Sequence, residues 1–323
     1  MRTLTIKALG AATMVLMLAA VAGCGSGSDD TETSDGGPQK VTVGIIPIVD
    51  VAPIYLGDKQ GFFKDHGIDL ALESGQGGAA IVPGVMSGQF QFGFSNVTSL
   101  MLARDQGLPL KIVAPGNSST GEDGKDFSAV VVKDDSPIES AKDLAGKTVA
   151  VNTLKNIGDT TVRESIRKDG GDPEGVKFVE LAFPDMPAAV ANGRVDAAWV
   201  VEPFVAISQS QGDRVVASNL VDTADDLMIA GYFTSEELEK SDPDLVKNFT
   251  EAITESLEYA DGHPDEVRDI VQTYTEIDDE LIKNVTLPKW PTTINEESTQ
   301  KLADLAEQDG LVEKPVDLSA LLP

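Results

Sequence analysis

The residues of this chain with chemistry to offer are carboxylates and short polar side chains placed where apolar runs end. Asp50 follows the run that begins at Val41, Ser95-Asn96 follows Phe90–Phe94, and Asn152-Thr153 follows Lys147–Val151. Gly77-Gly78 sits between a strand pattern and a helix pattern, Asp159-Thr160 opens a helix pattern, and Glu202 closes the run before Pro203. Such groups bind, because they combine hydroxyl, amide and backbone N–H donors with carboxylate acceptors. They do not assemble a reaction centre. The two histidines, His66 and His263, make no metal-type spacing with carboxylates or cysteines. No serine–histidine pair or G-x-S-x-G elbow occurs. Carboxylates paired across a cleft could serve a glycosidase reaction, but sugar-stacking aromatics are too few. Neither catalysis, nor a metal, nor a cofactor is expected.

The run-end loops hold Asp50, Asp159, Asp185 and Glu202, no arginine, and Lys155 as their one lysine. A bare-anion site would not gather four carboxylates unless all were helix caps. A ligand with an acceptor end and an ammonium or N–H end suits this set better: an aminosulfonate, an amino-acid-like molecule or a pyrimidine.

Cys24 is the sole cysteine. A basic start (Arg2, Lys7) and an apolar run of about 15 residues precede it, shorter than the roughly 20 of a membrane span. Small residues, Val21-Ala22-Gly23, stand just before it, as at a lipoprotein cleavage site. Residues 1–23 are therefore expected to be a signal peptide and Cys24 the lipid-bearing residue, with an uncleaved anchor as the alternative. Residues 24–39, rich in Gly, Ser, Asp and Thr, are expected to be a flexible linker. The expected location is the extracytoplasmic face of the cytoplasmic membrane.

The formal charge of −28 falls to −30 once Arg2 and Lys7 leave with the signal. So acidic a surface argues against nucleic acid, whose phosphates need Lys and Arg, and assigns membrane attachment to the lipid. With no second cysteine, the folded residues must be held by ordinary cores, and their number predicts two domains.

The elements that must position these loops alternate. Val41–Pro47, Ile68–Glu73 and Phe90–Ser95 read as strands; Pro53–His66, Gly78–Ser87 and Val97–Gln106 read as helices between and after them. About 105 residues on, the pattern returns: Lys147–Asn152, a helix Asp159–Lys168, Val176–Leu181, and Gly193 echoing Gly88 before the next strand. Alternation of this kind predicts parallel sheets covered by helices, in two similar α/β lobes. Two strand-like runs, Phe127–Lys133 and Leu227–Thr234, can carry the chain across and back, which predicts a hinge and a closing cleft. The helices Pro243–Asp261, Pro264–Tyr274, Asp278–Thr286 and Glu296–Gln308 follow as a tail expected on lobe one or along the hinge. Lobe one is then residues 40–128 plus 230–323, and lobe two residues 129–229.

The segments Val41–Leu72, Met86–Asn96 (MSGQFQFGFSN), Asp143–Val151 (DLAGKTVAV) and Asn192–Phe204 (NGRVDAAWVVEPF) resemble the substrate-binding proteins of ABC importers. The resemblance is to the nitrate/sulfonate/taurine group, which includes pyrimidine-binding relatives, and it spans residues 41–323. It implies a type II periplasmic-binding fold that closes on a small molecule and delivers it to a permease and its ATPase, acting as a monomer. A tethered ligand sensor would need the same architecture.

In open α/β sheets ligands bind beyond the strand carboxyl ends, which here carry Asp50, Gly77, Gly78, Ser95, Asn96, Asn152, Thr153, Asp159, Thr160 and Glu202. Each has a second reading. Ser95, Asn96 and Asp159 could cap their own helices, and Gly77-Gly78 could form a backbone anion nest. Gly75-Gln76-Gly77-Gly78-Ala79-Ala80 imitates a dinucleotide fingerprint, but no acid follows at the required distance of about 20 residues. The resemblance puts Glu202 at the cleft, facing the other lobe or capping a helix. Trp199 is expected in the core rather than against a ligand.

Overall fold

The computed structural model describes residues 37–323. Cys24, the signal peptide and nearly all of the linker lie outside the described residues. From Gly37 the chain forms one unit built on two five-stranded sheets.

The first half alternates strand and helix as its periodicity requires. β1 (Gln39–Ile45) leads to α1 (Ala52–Gln60) and α2 (Phe62–Asp65), β2 (Ile68–Ser74) to α3 (Gly78–Met86), β3 (Phe92–Asn96) to α4 (Val97–Asp105), and β4 (Leu110–Ser118) follows. The helix expected over Pro53–His66 is broken in two. Gly61 adopts φ 94°, the left-handed conformation that ends a helix at little cost to glycine.

The second half repeats the pattern. It contains β5 (Ser128–Val132), β6 (Thr148–Val151), α5 (Ile157–Lys168), β7 (Lys177–Glu180), α6 (Met186–Ala191), β8 (Ala197–Val201), α7 (Phe204–Ser210), β9 (Arg214–Ala217) and α8 (Asn219–Thr223). The chain then returns through β10 (Met228–Ser235) and continues as α9 (Glu236–Ser241), α10 (Pro243–Gly262), α11 (Pro264–Val271) and α12 (Glu296–Gln308). The helix expected over Asp278–Thr286 is only a 3-10 turn at Ile282–Asn284. There the Thr286 N–H donates to Glu202 Oε1 at 3.1 Å instead of to a helix carbonyl, and Pro288 restricts Leu287.

The strand orders are β2-β1-β3-β10-β4 and β7-β6-β8-β5-β9. In each sheet four strands run in one direction, and the fourth position holds the antiparallel one, β10 or β5, entered from the other half. The crossing strands expected from the sequence are these two. Ser128 belongs to the second sheet, and Met228 and Ile229 to the first.

The crossings themselves run side by side. Ser119 N donates to Leu227 O at 2.9 Å, and Gly124 N donates to Ser218 Oγ at 2.8 Å. The Asp126 carboxylate stiffens the first crossing, accepting from Ser119 Oγ and Thr120 N, each at 2.9 Å.

Alternate residues of β1 (Val41, Val43, Ile45) are fully buried, as a strand covered by helices demands. α10 packs on α1 and β4, and its Phe249 stacks on Phe92 of β3 with ring centroids 3.8 Å apart. α12 touches both α4 and α5, so the tail contacts helices of both sheets.

Candidate functional site

The carboxyl ends of the two sheets meet. Val49 N, just after β1, donates to Glu202 O at the end of β8 (3.1 Å), and Glu202 N donates to Phe127 O (2.8 Å). Ser99 on α4 pairs with Asn156, which supplies an amide N–H to Ser99 Oγ at 2.9 Å. A cavity of about 140 Å³ lies between these ends, walled by Ile46–Ile48 and Gly75-Gln76 from one sheet and by Ala182–Pro184 and Phe204 from the other.

Five expected residues come together at one edge of this boundary. Gly77 precedes α3 in an extended conformation, and a Cβ there would lie 2.8 Å from Thr153 Oγ1 and 3.3 Å from Asn152 Nδ2. A Cβ on Gly78 would fall 1.9 Å from Ser95 Oγ. These glycines are required by close approach. No side chain caps the N-terminus of α3; Ser95 packs against it, and its hydroxyl donates to Asn96 O at 3.2 Å.

Asn96 does cap its own helix, Oδ1 accepting from Ser99 N at 2.8 Å. The cap expected at Asp159 is displaced. Asn156 occupies the cap position of α5, because the helix begins two residues earlier than the apolar pattern indicates. Asp159 sits in the first turn and accepts from Lys155 N at 3.0 Å. Burial raises its carboxyl to about 6, with Arg163 as the opposing positive charge and Asp309 as a repelling one. Thr160 is fully buried, and its hydroxyl has no partner among the described residues. Asp185 and Lys155 are exposed.

Glu202 is 1 % exposed. Its Oε2 accepts from Ala206 N (3.0 Å), capping the turn after cis Pro203, and its Oε1 takes Thr286 N from the tail. Burial outweighs both donors and pushes its carboxyl up to about 7. Asp50 is 3 % exposed, in a 3-10 turn between β1 and α1. Asn117 Nδ2 donates to its Oδ1 at 2.9 Å, and Trp290 Nε1 donates to its backbone carbonyl at 3.2 Å. Burial likewise raises this carboxyl to about 7. No lysine or arginine forms an ion pair with either carboxylate among the described residues.

Trp199 packs in the core, donating to Ser128 Oγ at 2.8 Å and meeting Phe183 edge to face. Asn117, Tyr232, Tyr274, Thr286 and Trp290 were not indicated by the sequence. Asn117 is the penultimate residue of β4, whose Pro115-Gly116 reads as a loop; the run Asn117-Ser118-Ser119 was the available signal. Among the described residues no group of three or more His, Cys, Asp or Glu side chains is placed to hold a metal.

The family described as NMT1/THI5 like matches residues 48–267. The chain belongs to this family. Among its relatives, a "Putative aliphatic sulfonates-binding protein" of Bacillus subtilis is 21% identical over 321 residues, covering 96% of this chain and 92% of that one. A 4-amino-5-hydroxymethyl-2-methylpyrimidine phosphate synthase of Saccharomyces cerevisiae, THI5, is 24% identical over 226 residues, 66% of this chain and 64% of the synthase. A solved structure, the zinc-bound ligand-binding component of an ABC-type import system from Staphylococcus aureus, superposes with a TM-score of 0.76 at 16% identity. That superposition covers 88% of this chain and 96% of the other, and it establishes the two-lobed periplasmic-binding fold for this NMT1/THI5-like chain.

Proposed function

We propose that this chain is the extracytoplasmic solute-binding protein of an ABC importer. It captures a small sulfonate-, taurine- or nitrate-type ligand, or a related nitrogenous one, between its lobes and hands it to a permease. The supporting observation is the meeting of the two sheets' strand carboxyl ends around a 140 Å³ cavity, where a ligand would touch both lobes. Residues 40–128 with 230–323, and 129–229, are the proposed lobes. Asp50, Gly77, Gly78, Ser95, Asn96, Asn152, Thr153, Thr160 and Glu202 are the proposed contact set, although none of them lines the 140 Å³ cavity itself. Asp159, faced by Arg163 and Asp309, is read as a helix-start residue. The protein is taken to act as a monomer held at the membrane by lipid on Cys24.

We read it as a binder rather than an enzyme, although a relative is a synthase. His66 lies between Glu251 and Glu255, 3.6 Å from each, and the His263 ring bonds Tyr259 O at 2.7 Å. Neither histidine is at a strand carboxyl end. Calorimetry with taurine, ethanesulfonate, nitrate and aminopyrimidines tests the reading. Micromolar or tighter binding of one class is expected, and indifference to every class would overturn it.

A further inference from the structure

One hydrogen-bonded pair in the boundary region is only half satisfied. Asn117 Nδ2 is spent on Asp50 Oδ1. Asp50 Oδ2 and Asn117 Oδ1 are both buried, and neither has a hydrogen-bond partner among the described residues. While Asp50 is ionised both atoms are acceptors and cannot satisfy each other, so the charged form is the one that calls for an outside donor. Leaving a buried acceptor without a donor is destabilising.

Two nearby donors are committed elsewhere, and a third, the Tyr232 hydroxyl, bonds neither acceptor. Trp290 Nε1 donates to the Asp50 carbonyl, and the Tyr274 hydroxyl donates to Ile48 O at 3.1 Å. Tyr232, fully buried beneath, has a hydroxyl that is itself unpartnered. The group that fits must bring at least two N–H donors, and a positive charge would add to its fit. An ammonium meets both conditions and a neutral ring amino group the first; a nitrate or a simple alkanesulfonate, all acceptor, meets neither.

We propose that Asp50 and Asn117 form the subsite for an amino or ammonium group, so that the solute carried is an amine-bearing one. This rests on the solute-binding reading above. The titratable groups around Asp50 are Asp126, Tyr55, Tyr232 and Tyr274, and no cationic side chain competes with the ligand there. Burial holds the Asp50 carboxyl at about 7, so an ammonium ligand should bind more weakly as pH falls through that value.

The test is calorimetry on the full chain with probe pairs that differ only in the amino group: taurine against isethionate, and 4-aminopyrimidine against pyrimidine. The amino member of one pair is expected to bind at least about tenfold tighter than its partner. Asp50→Asn should remove most of that difference and leave the partner's affinity unchanged. If the variant does not fold, the wild-type protein still decides, because affinity for the amino member should fall between pH 8 and pH 6 while its partner stays flat. Equal affinity within each bound pair, with no pH dependence, would overturn the subsite and leave the solute-binding reading standing. Failure of every probe to bind would overturn both.

Discussion

Asn156 and Ser99 belong to helices of different sheets, and they are joined side chain to side chain at 2.9 Å. Asn156 also caps α5 through its Oδ1. Ser99→Ala therefore removes a contact between lobes without touching a cap, whereas Asn156→Ala removes both. Ser99→Ala should weaken ligand binding roughly three- to tenfold, in line with about 1 kcal/mol for one hydrogen bond, at nearly unchanged melting temperature. Asn156→Ala should lower both, as calorimetry and thermal melting would show. Equal melting temperatures for the two variants would count against the capping role.

Gly77 and Gly78 separate binding from folding in the same way. Gly78→Ala drives a methyl to 1.9 Å from Ser95 Oγ inside the first lobe, and should destabilise the protein by about 1–3 kcal/mol. Ser95→Gly in the same chain should restore most of that loss. Gly77→Ala meets Thr153 and Asn152 of the other lobe. It should weaken ligand binding while leaving denaturant unfolding of the unliganded protein nearly unchanged.

Asp50 and Glu202 each titrate near 7 in the fold, against 3.8 and 4.5 when free. The folded state therefore holds protons that the unfolded state releases. Their contribution is fully present below about pH 4 and is lost as pH rises through about 7. Unfolding free energy should be larger at pH 5 than at pH 8, by on the order of 2 kcal/mol per group. Asp50→Asn and Glu202→Gln should each flatten part of that slope in urea titrations. A slope unchanged in both variants would assign it to the general excess of acidic charge.

The tail is pinned to the second lobe by ion pairs. Arg167 meets Asp309 at the end of α12, and Lys301 meets Glu164 at 3.0 Å. Asp309 is the buried partner, so Asp309→Ala should cost about 1–2 kcal/mol by leaving Arg167 partly buried and unpaired. Lys301→Ala, at a half-exposed pair, should cost under about 0.5 kcal/mol in thermal or chemical melts.

Most of the architecture was legible because it rests on local signals. Glycines after helices, the continuous apolar run of β1 and the recurrence near residue 147 mark elements without reference to tertiary context. β4 was hidden by Pro115-Gly116, which the sheet accommodates through irregular register against β10. The site divides along the same line. Residues at obvious strand-to-helix switches, Asn96 and Gly78 among them, could be named from their positions. The partner of Asp50 could not, because Asn117 stands 67 positions away. Nor could the tail residues Thr286 and Trp290, which reach Glu202 and Asp50 only once the chain has folded back.

The position of β10 has a consequence for how this chain acquires its shape. Sheet two is assembled from residues 128–217 in one continuous stretch. Sheet one has β10 wedged between β3 and β4, so those two strands stay unjoined until residue 235 has arrived. Emerging from the N-terminus, the chain can complete its second sheet while the first still lacks the strand that joins β3 to β4. The slow step of folding should be this late insertion, a pairing of high sequence separation.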